Sequence, residues 1–223
     1  MQANQRTTRR GFLTAAGACM STSACSSTST RGRHKTELVD TPQVKRKLAR
    51  DGRSMMIVFV PHCAQNMNAR HVDCADFPAM MEPLFEFLRE NQIGIVQMPC
   101  PELRVLGLGR DRDVPPLNTI REALEVPDAQ ERLRPLVDDM VYLIKEYQFQ
   151  DVEILGILGK NGSPSCGVTT THKEGDLVPG EGIFIRELRR RLAQQGLEIQ
   201  LKGIDDHRQE EAIAWVRERI GAT

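Results

Sequence analysis

From about residue 55 onward, short β-branched apolar runs alternate with longer stretches whose apolar side chains recur at helical spacing. The runs at 55–60, 93–98, 152–158 and 197–201 read as strands, and 55–60 is continuously apolar, as in a strand covered on both faces. Between them, Met81, Leu84, Phe85 and Leu88 share one helix face. Leu133, Leu136, Val137, Met140 and Ile144 form a single stripe of a helix over 128–147. A helix over 181–195 turns Ile185, Leu188 and Leu192 inward and Arg186, Arg189 and Arg190 toward water; another over 208–220 closes the chain. Thr41-Pro42 opens a short polar helix ending near Gly52. Strands alternating with helices predict an α/β fold: one compact domain over 36–223, three layers (α/β/α) around a mainly parallel sheet of about four strands.

The charge balance narrows the partners. The chain carries 30 basic and 30 acidic side chains, but residues 1–33 hold five arginines and no acid. The rest therefore has 25 basic and 30 acidic groups, a net charge of −5. Such a body has no electrostatic footprint for phosphate backbones, and aromatics at 4% are too few for a base-stacking platform. Nucleic acid is excluded as an expected partner. No run approaches the roughly 18 consecutive apolar residues of a spanning helix.

Residues 1–33 read as an address. Thr7-Thr8-Arg9-Arg10-Gly11-Phe12-Leu13 sets paired arginines before an apolar run, and a Ser/Thr tract follows over 21–30. This resembles a twin-arginine export signal. The resemblance implies the twin-arginine export machinery as a partner and a periplasmic or cell-envelope location; the alternative is a basic tail on a cytoplasmic protein. Cys19 and Cys25 each follow a small residue, so either is a candidate for a lipidated cysteine that anchors the chain to a membrane.

In parallel α/β sheets ligands bind beyond the carboxyl ends of the strands. Cys63, in Pro61-His62-Cys63, lies just past the first predicted strand, Cys100 just past the second, and Cys166 in the loop after the third. Parallel topology brings all three to one edge, each in a loop bearing proline or glycine. A single cysteine would read as a small buried hydrophobe. Three on one edge point to a site. A disulfide would use two and leave the third unexplained, and no C-x-x-C pair supports a zinc ribbon or a thioredoxin-type motif. Cys74 would complete a four-cysteine zinc set, but it lies outside any strand end and reads as a bystander. Three thiolates with one open position suit an iron–sulfur cluster with one iron available to substrate.

The loops themselves resemble a known group. His62-Cys63-Ala64-Gln65-Asn66-Met67-Asn68, Pro99-Cys100-Pro101-Glu102 and Gly162-Ser163-Pro164-Ser165-Cys166-Gly167 are similar to the motifs of the thiouracil desulfidase family, domain of unknown function 523. Gly182-Ile183-Phe184-Ile185 matches its desulfidase-related branch. The resemblance implies a [4Fe–4S] cluster held by Cys63, Cys100 and Cys166, with the fourth iron taking the sulfur of a small thiolated compound. It also implies acid–base and positioning roles for Glu102 and Ser163, and an enzyme that replaces sulfur by oxygen. Leu103-Arg104-Val105-Leu106-Gly107-Leu108 departs from the Gly-Gly-Leu of the better-known branch, so the resemblance does not name the substrate.

Two rival readings stand beside it. One is a metal-free enzyme with Cys166 as nucleophile and His62 as its base. The other is a non-catalytic metal- or sulfur-binding protein of the envelope. His62 is otherwise a hydrogen-bonded loop histidine, Asn66 and Asn68 are turn builders or pocket residues, His172 is a surface residue, and Ser165 is a turn residue beside Pro164.

Overall fold

The structure, a computed structural model, describes residues 51–111 and 119–220. The arginine-rich segment 1–33 and all but the last two residues of the helix expected over 41–52 lie outside the described residues. In chain order the elements are β1 (Met56–Pro61), α1 (His62–Gln65), a 3₁₀ turn (Met67–Ala69), α2 (Glu82–Glu90), β2 (Gly94–Met98), α3 (Pro101–Leu106), α4 (Ile120–Glu125) and α5 (Pro127–Phe149). There follow β3 (Glu153–Lys160), β4 (Thr170–Lys173), β5 (Asp176–Pro179), α6 (Ile183–Gln194), β6 (Leu201–Ile204) and α7 (Gln209–Arg217). Four strands form one parallel sheet in the order β2-β1-β3-β6. This is the predicted α/β domain, with helices on both faces.

Strand alternation divides the core. On β1, Ile57 and Phe59 face the layer of α3 to α6, where they meet Leu133, Met140, Ile144, Phe184 and Leu188. Val58 and Val60 face the other layer, against Leu84 and Leu88 of α2 and Ala212 and Val216 of α7. β3 keeps the same division only by means of a bulge. Ile57 pairs with Ile154 but Val58 pairs with Gly156, so one extra residue enters β3 and the sides of its later residues are reset. Gly156 sits at φ +145°, and a Cβ there would come within 2.4 Å of the Trp215 ring. Only glycine fits that bulge. Among the described residues no helix is long and apolar enough to cross a membrane.

Two sequence expectations change in detail. The fourth strand, expected over 197–201, begins only at Leu201 and runs to Ile204. The alternating Leu197, Ile199 and Leu201 do pack against the core, but ladder pairing with β3 starts at Leu201. Period-two packing is therefore satisfied without period-two hydrogen bonding. The antiparallel hairpin β4–β5 was not expected at all. Its two-residue turn, Glu174-Gly175, has φ of +53° and +92°, a turn of the mirror-image kind that fits twisted strands.

The last motif of the sequence has a packing role. Gly182 caps α6, and the first amides of that helix are spent on the loop before it. Ile183 N–H donates to Pro164 O at 3.0 Å and Phe184 N–H to Ser165 O at 3.0 Å. A Cβ on Gly182 would lie 2.3 Å from the Ser165 carbonyl carbon and 2.7 Å from the Cys166 nitrogen. We expect Gly182→Ala to push this backbone apart and to cost about 1–3 kcal/mol, read as a lower Tm in thermal unfolding. An unchanged Tm would show that the loop yields freely.

Candidate functional site

All four parallel strands end at the same edge, and each contributes to one cavity of about 460 Å³. β1 passes straight into α1, which sets Cys63 in the cavity wall. β2 ends at Met98, and Cys100 becomes the N-cap of α3, its Sγ accepting the Leu103 N–H at 3.5 Å. Pro101 occupies the first helical position, where its fixed φ and missing N–H do no harm. The next residue, Glu102, is thereby aimed from the first turn into the cavity. The loop after β3 supplies Asn161, Ser163, Ser165 and Cys166, and the end of β6 supplies Asp205 and Asp206. The structure thus brings Cys63, Cys100, Cys166, Glu102 and Ser163 into one wall.

Glu102 is the hub of a buried network. Its Oε1 accepts from Ser165 Oγ at 2.7 Å and from Ser163 Oγ at 3.1 Å, and its Oε2 accepts from Arg110 Nε at 3.3 Å. Three donors and no acceptor face this carboxylate. Ser163 Oγ in turn accepts the backbone N–H of Cys166 at 3.0 Å and of Ser165 at 3.2 Å. One carboxylate therefore fixes the serine loop and, through it, the Cys166 backbone. Arg110 reaches further, donating to Leu108 O and Ala69 O, both at 2.7 Å.

A second network lies beside Cys63. Asp206 accepts both terminal nitrogens of Arg70 at 2.7 Å, and Lys160 Nζ lies 3.0 Å from it. Burial pushes the Asp206 carboxyl up, but the Arg70 hydrogen bonds and the Lys160 charge outweigh it and hold the group well below the carboxylate range. The thiols shift the other way. Burial raises Cys63 against the opposing pull of Arg70, pushes Cys100 up to about 12, and lifts Cys166 well above an ordinary thiol. A thiol nucleophile working near neutral pH uses a lowered value, and burial moves Cys166 the other way. Its proposed base fares no better: His62, half-buried at the start of α1, is not in the cavity wall.

Other sequence readings resolve residue by residue. All four described cysteines are free thiols, so no disulfide joins them. Cys74 is exposed yet lines the same cavity, nearer the site than its sequence context indicated. Asn66 and Asn68 build a turn, with Asn68 N–H donating to Asn66 Oδ1 at 3.1 Å. His172 is exposed on the cavity rim, its Nδ1 2.5 Å from Gly162 O. Ser165, read as a turn residue, makes the shorter of the two hydroxyl bonds to Glu102. Arg70, Arg110, Lys160 and Asp206 carried no local signal, because each acts across a gap that only the fold closes. Among the described residues, no group of three or more His, Cys, Asp or Glu side chains converges on a single metal-ion position.

No family model matches the chain. An uncharacterised protein of Methanocaldococcus jannaschii is 24% identical over 149 residues, 67% of this chain and 84% of that protein. A solved structure of a [4Fe-4S]-dependent thiouracil desulfidase is 23% identical, covering 71% of this chain and 97% of its own, with a TM-score of 0.44. A likeness of that size carries no argument about activity.

The thiol environments make a direct test. A thiol held near 12, as Cys100 is, is ionised to about one part in 10⁴ at pH 8. In metal-free protein, iodoacetamide should therefore modify exposed Cys74 well before Cys63, Cys100 or Cys166, as read by peptide mass spectrometry. Equal rates at all four would contradict the burial described.

Proposed function

We propose that the chain is a desulfidase that removes sulfur from a small thiolated compound, using a [4Fe–4S] cluster held by Cys63, Cys100 and Cys166 with one iron open to the substrate. The observation that carries this reading is the placement of three thiols, from the segments that follow three separate strands, around one cavity beside Glu102. The donor set fits the group. Three thiols make a soft, sulfur-only donor set along one cavity wall, although among the described residues no three such side chains converge on one metal-ion position. Such a set suits an iron–sulfur centre in which each cysteine would take a different iron. Donors already face one of the sulfurs: Leu103 N–H and Arg110 Nη2 point toward Cys100 at 3.5 and 3.9 Å.

Bound there, the cluster would supply a thiophilic Lewis acid for the C–S bond. The protein supplies the proton chemistry. Overall, water adds its oxygen to the thiocarbonyl carbon and its two protons leave with the sulfur as hydrogen sulfide, with no net oxidation. Glu102, two residues beyond Cys100, takes a proton from that water through its carboxylate. Arg110 holds Oε2 in place, and the Ser163 and Ser165 hydroxyls hold Oε1. Ser163 also fixes the Cys166 backbone, so it orients both the acid–base group and the ligand loop.

The test is sulfide release from a thioamide-containing heterocycle by anaerobically purified protein. Serine at Cys63, Cys100 or Cys166 should remove most of the iron, whereas Cys74→Ser should keep it. Glu102→Gln should keep iron and visible absorption but lower turnover roughly 10²–10⁴-fold, the usual worth of a positioned acid or base. Full activity in Glu102→Gln with a full cluster would contradict the assigned proton role.

A further inference from the structure

Arg70 emerges from the 3₁₀ turn and crosses the cavity wall with its side chain only 7% exposed. Both terminal nitrogens are committed to Asp206, and Nη1 also donates to the Cys74 carbonyl at 3.0 Å. The remaining donor, Nε–H, is buried and has no partner. Leaving a buried donor unpaired costs about 1–3 kcal/mol, more when the group is charged. The guanidinium faces the Cys63 thiol, and its charge opposes the upward shift of that thiol.

Arg110 stands in the same relation to Cys100. Its side chain is 3% exposed, and its Nη2 lies 3.9 Å from Cys100 Sγ. Its backbone sits at φ +59°, an uncommon conformation for a residue other than glycine. One turn braces both arginines, because Arg110 Nη2 donates to the carbonyl of Ala69, the residue before Arg70. Two of the three cysteines thus each have a buried, permanently charged guanidinium beside them. Thiolate sulfur is a far better acceptor than a neutral thiol, and a guanidinium keeps its proton at any working pH.

We propose that Arg70 and Arg110 are positioning residues that donate N–H bonds to the sulfurs of the metal centre, Arg70 through Nε to Cys63 and Arg110 through Nη2 to Cys100. These N–H donors tune the reduction potential of the centre, since hydrogen bonding to sulfur moves that potential. Asp206, itself paired with Lys160, holds both terminal nitrogens of Arg70 and leaves Nε–H as its unpartnered donor. The inference rests on the proposed cluster at Cys63, Cys100 and Cys166.

The experiment is a potentiometric titration of the anaerobic full-length chain, followed by visible absorption and electron paramagnetic resonance. Arg70→Lys keeps the charge and its pairing with Asp206 but loses the fixed Nε–H. The double variant Arg70→Gln with Asp206→Asn removes the guanidinium donor together with its carboxylate partner, leaving the pair's net charge unchanged and Lys160 without its ion pair. Both should bind iron, and both should show a more negative midpoint potential. A tenfold change in the reduction equilibrium is expected, about 59 mV for one electron. An unchanged potential in iron-loaded variants overturns the inference while leaving the desulfidase reading intact. Wild-type protein that binds no iron overturns both. Should the variants fail to fold, wild-type protein labelled with ¹⁵N at arginine alone decides the matter. Hyperfine coupling from an arginine ¹⁵N to the reduced centre supports the assignment, and its absence overturns it.

Discussion

The carboxylate of Glu102 joins the three segments that carry Cys63, Cys100 and Cys166. It belongs to the helix that Cys100 caps, accepts the two serine hydroxyls of the Cys166 loop, and takes Arg110, which braces the turn after Cys63. Removed from water and met by three donors, it is worth more as a joint than any surface ion pair would be. The parallel sheet delivers the strand ends to one edge, and this carboxylate sets the order of the loops there. From it follow the orientation of the Cys166 backbone, through Ser163, and the pose of Arg110 beside Cys100.

A second tie works beside Cys63. Asp206, at the end of β6, fastens Arg70 and Lys160, which come from the turn after β1 and the end of β3. The two networks share no side chain but meet at Ala69 and Arg70, neighbours in sequence. Charges buried this way are expensive unless fully paired. Only Arg70 Nε departs from full pairing among the buried side-chain nitrogens and oxygens described, and it does so beside a cysteine. The proposed hydrogen bond to a ligand sulfur would supply the missing partner.

Much of the architecture was legible because burial leaves a periodic trace. The apolar run at β1 and the stripes on α5 and α6 announced buried faces, and alternation of strands with helices announced a parallel sheet. From that sheet alone the three cysteines could be placed at one edge. The hairpin β4–β5 and helices α3 and α4 are too short to leave a period, and β6 packs before it pairs. The partners of Glu102 were half legible: Ser163 and Ser165 stood in a recognisable motif, whereas Arg110 carried no local signal. Arg70 and Asp206 are 136 residues apart, and no local pattern links them. Gly182 appeared in the sequence as part of a motif, and its reason is steric, the approach of α6 to the Ser165–Cys166 peptide.

The central claim is that three cysteines hold a cluster whose remaining iron is open to a sulfur ligand. The most direct measurement is the Mössbauer spectrum of ⁵⁷Fe-loaded protein, recorded with and without a thiolated heterocycle. The account predicts one iron site distinct from the others, whose parameters alone move when the thiolated compound is added. Iron sites that are all equivalent and indifferent to the compound, or protein that takes up no iron under anaerobic loading, would contradict it.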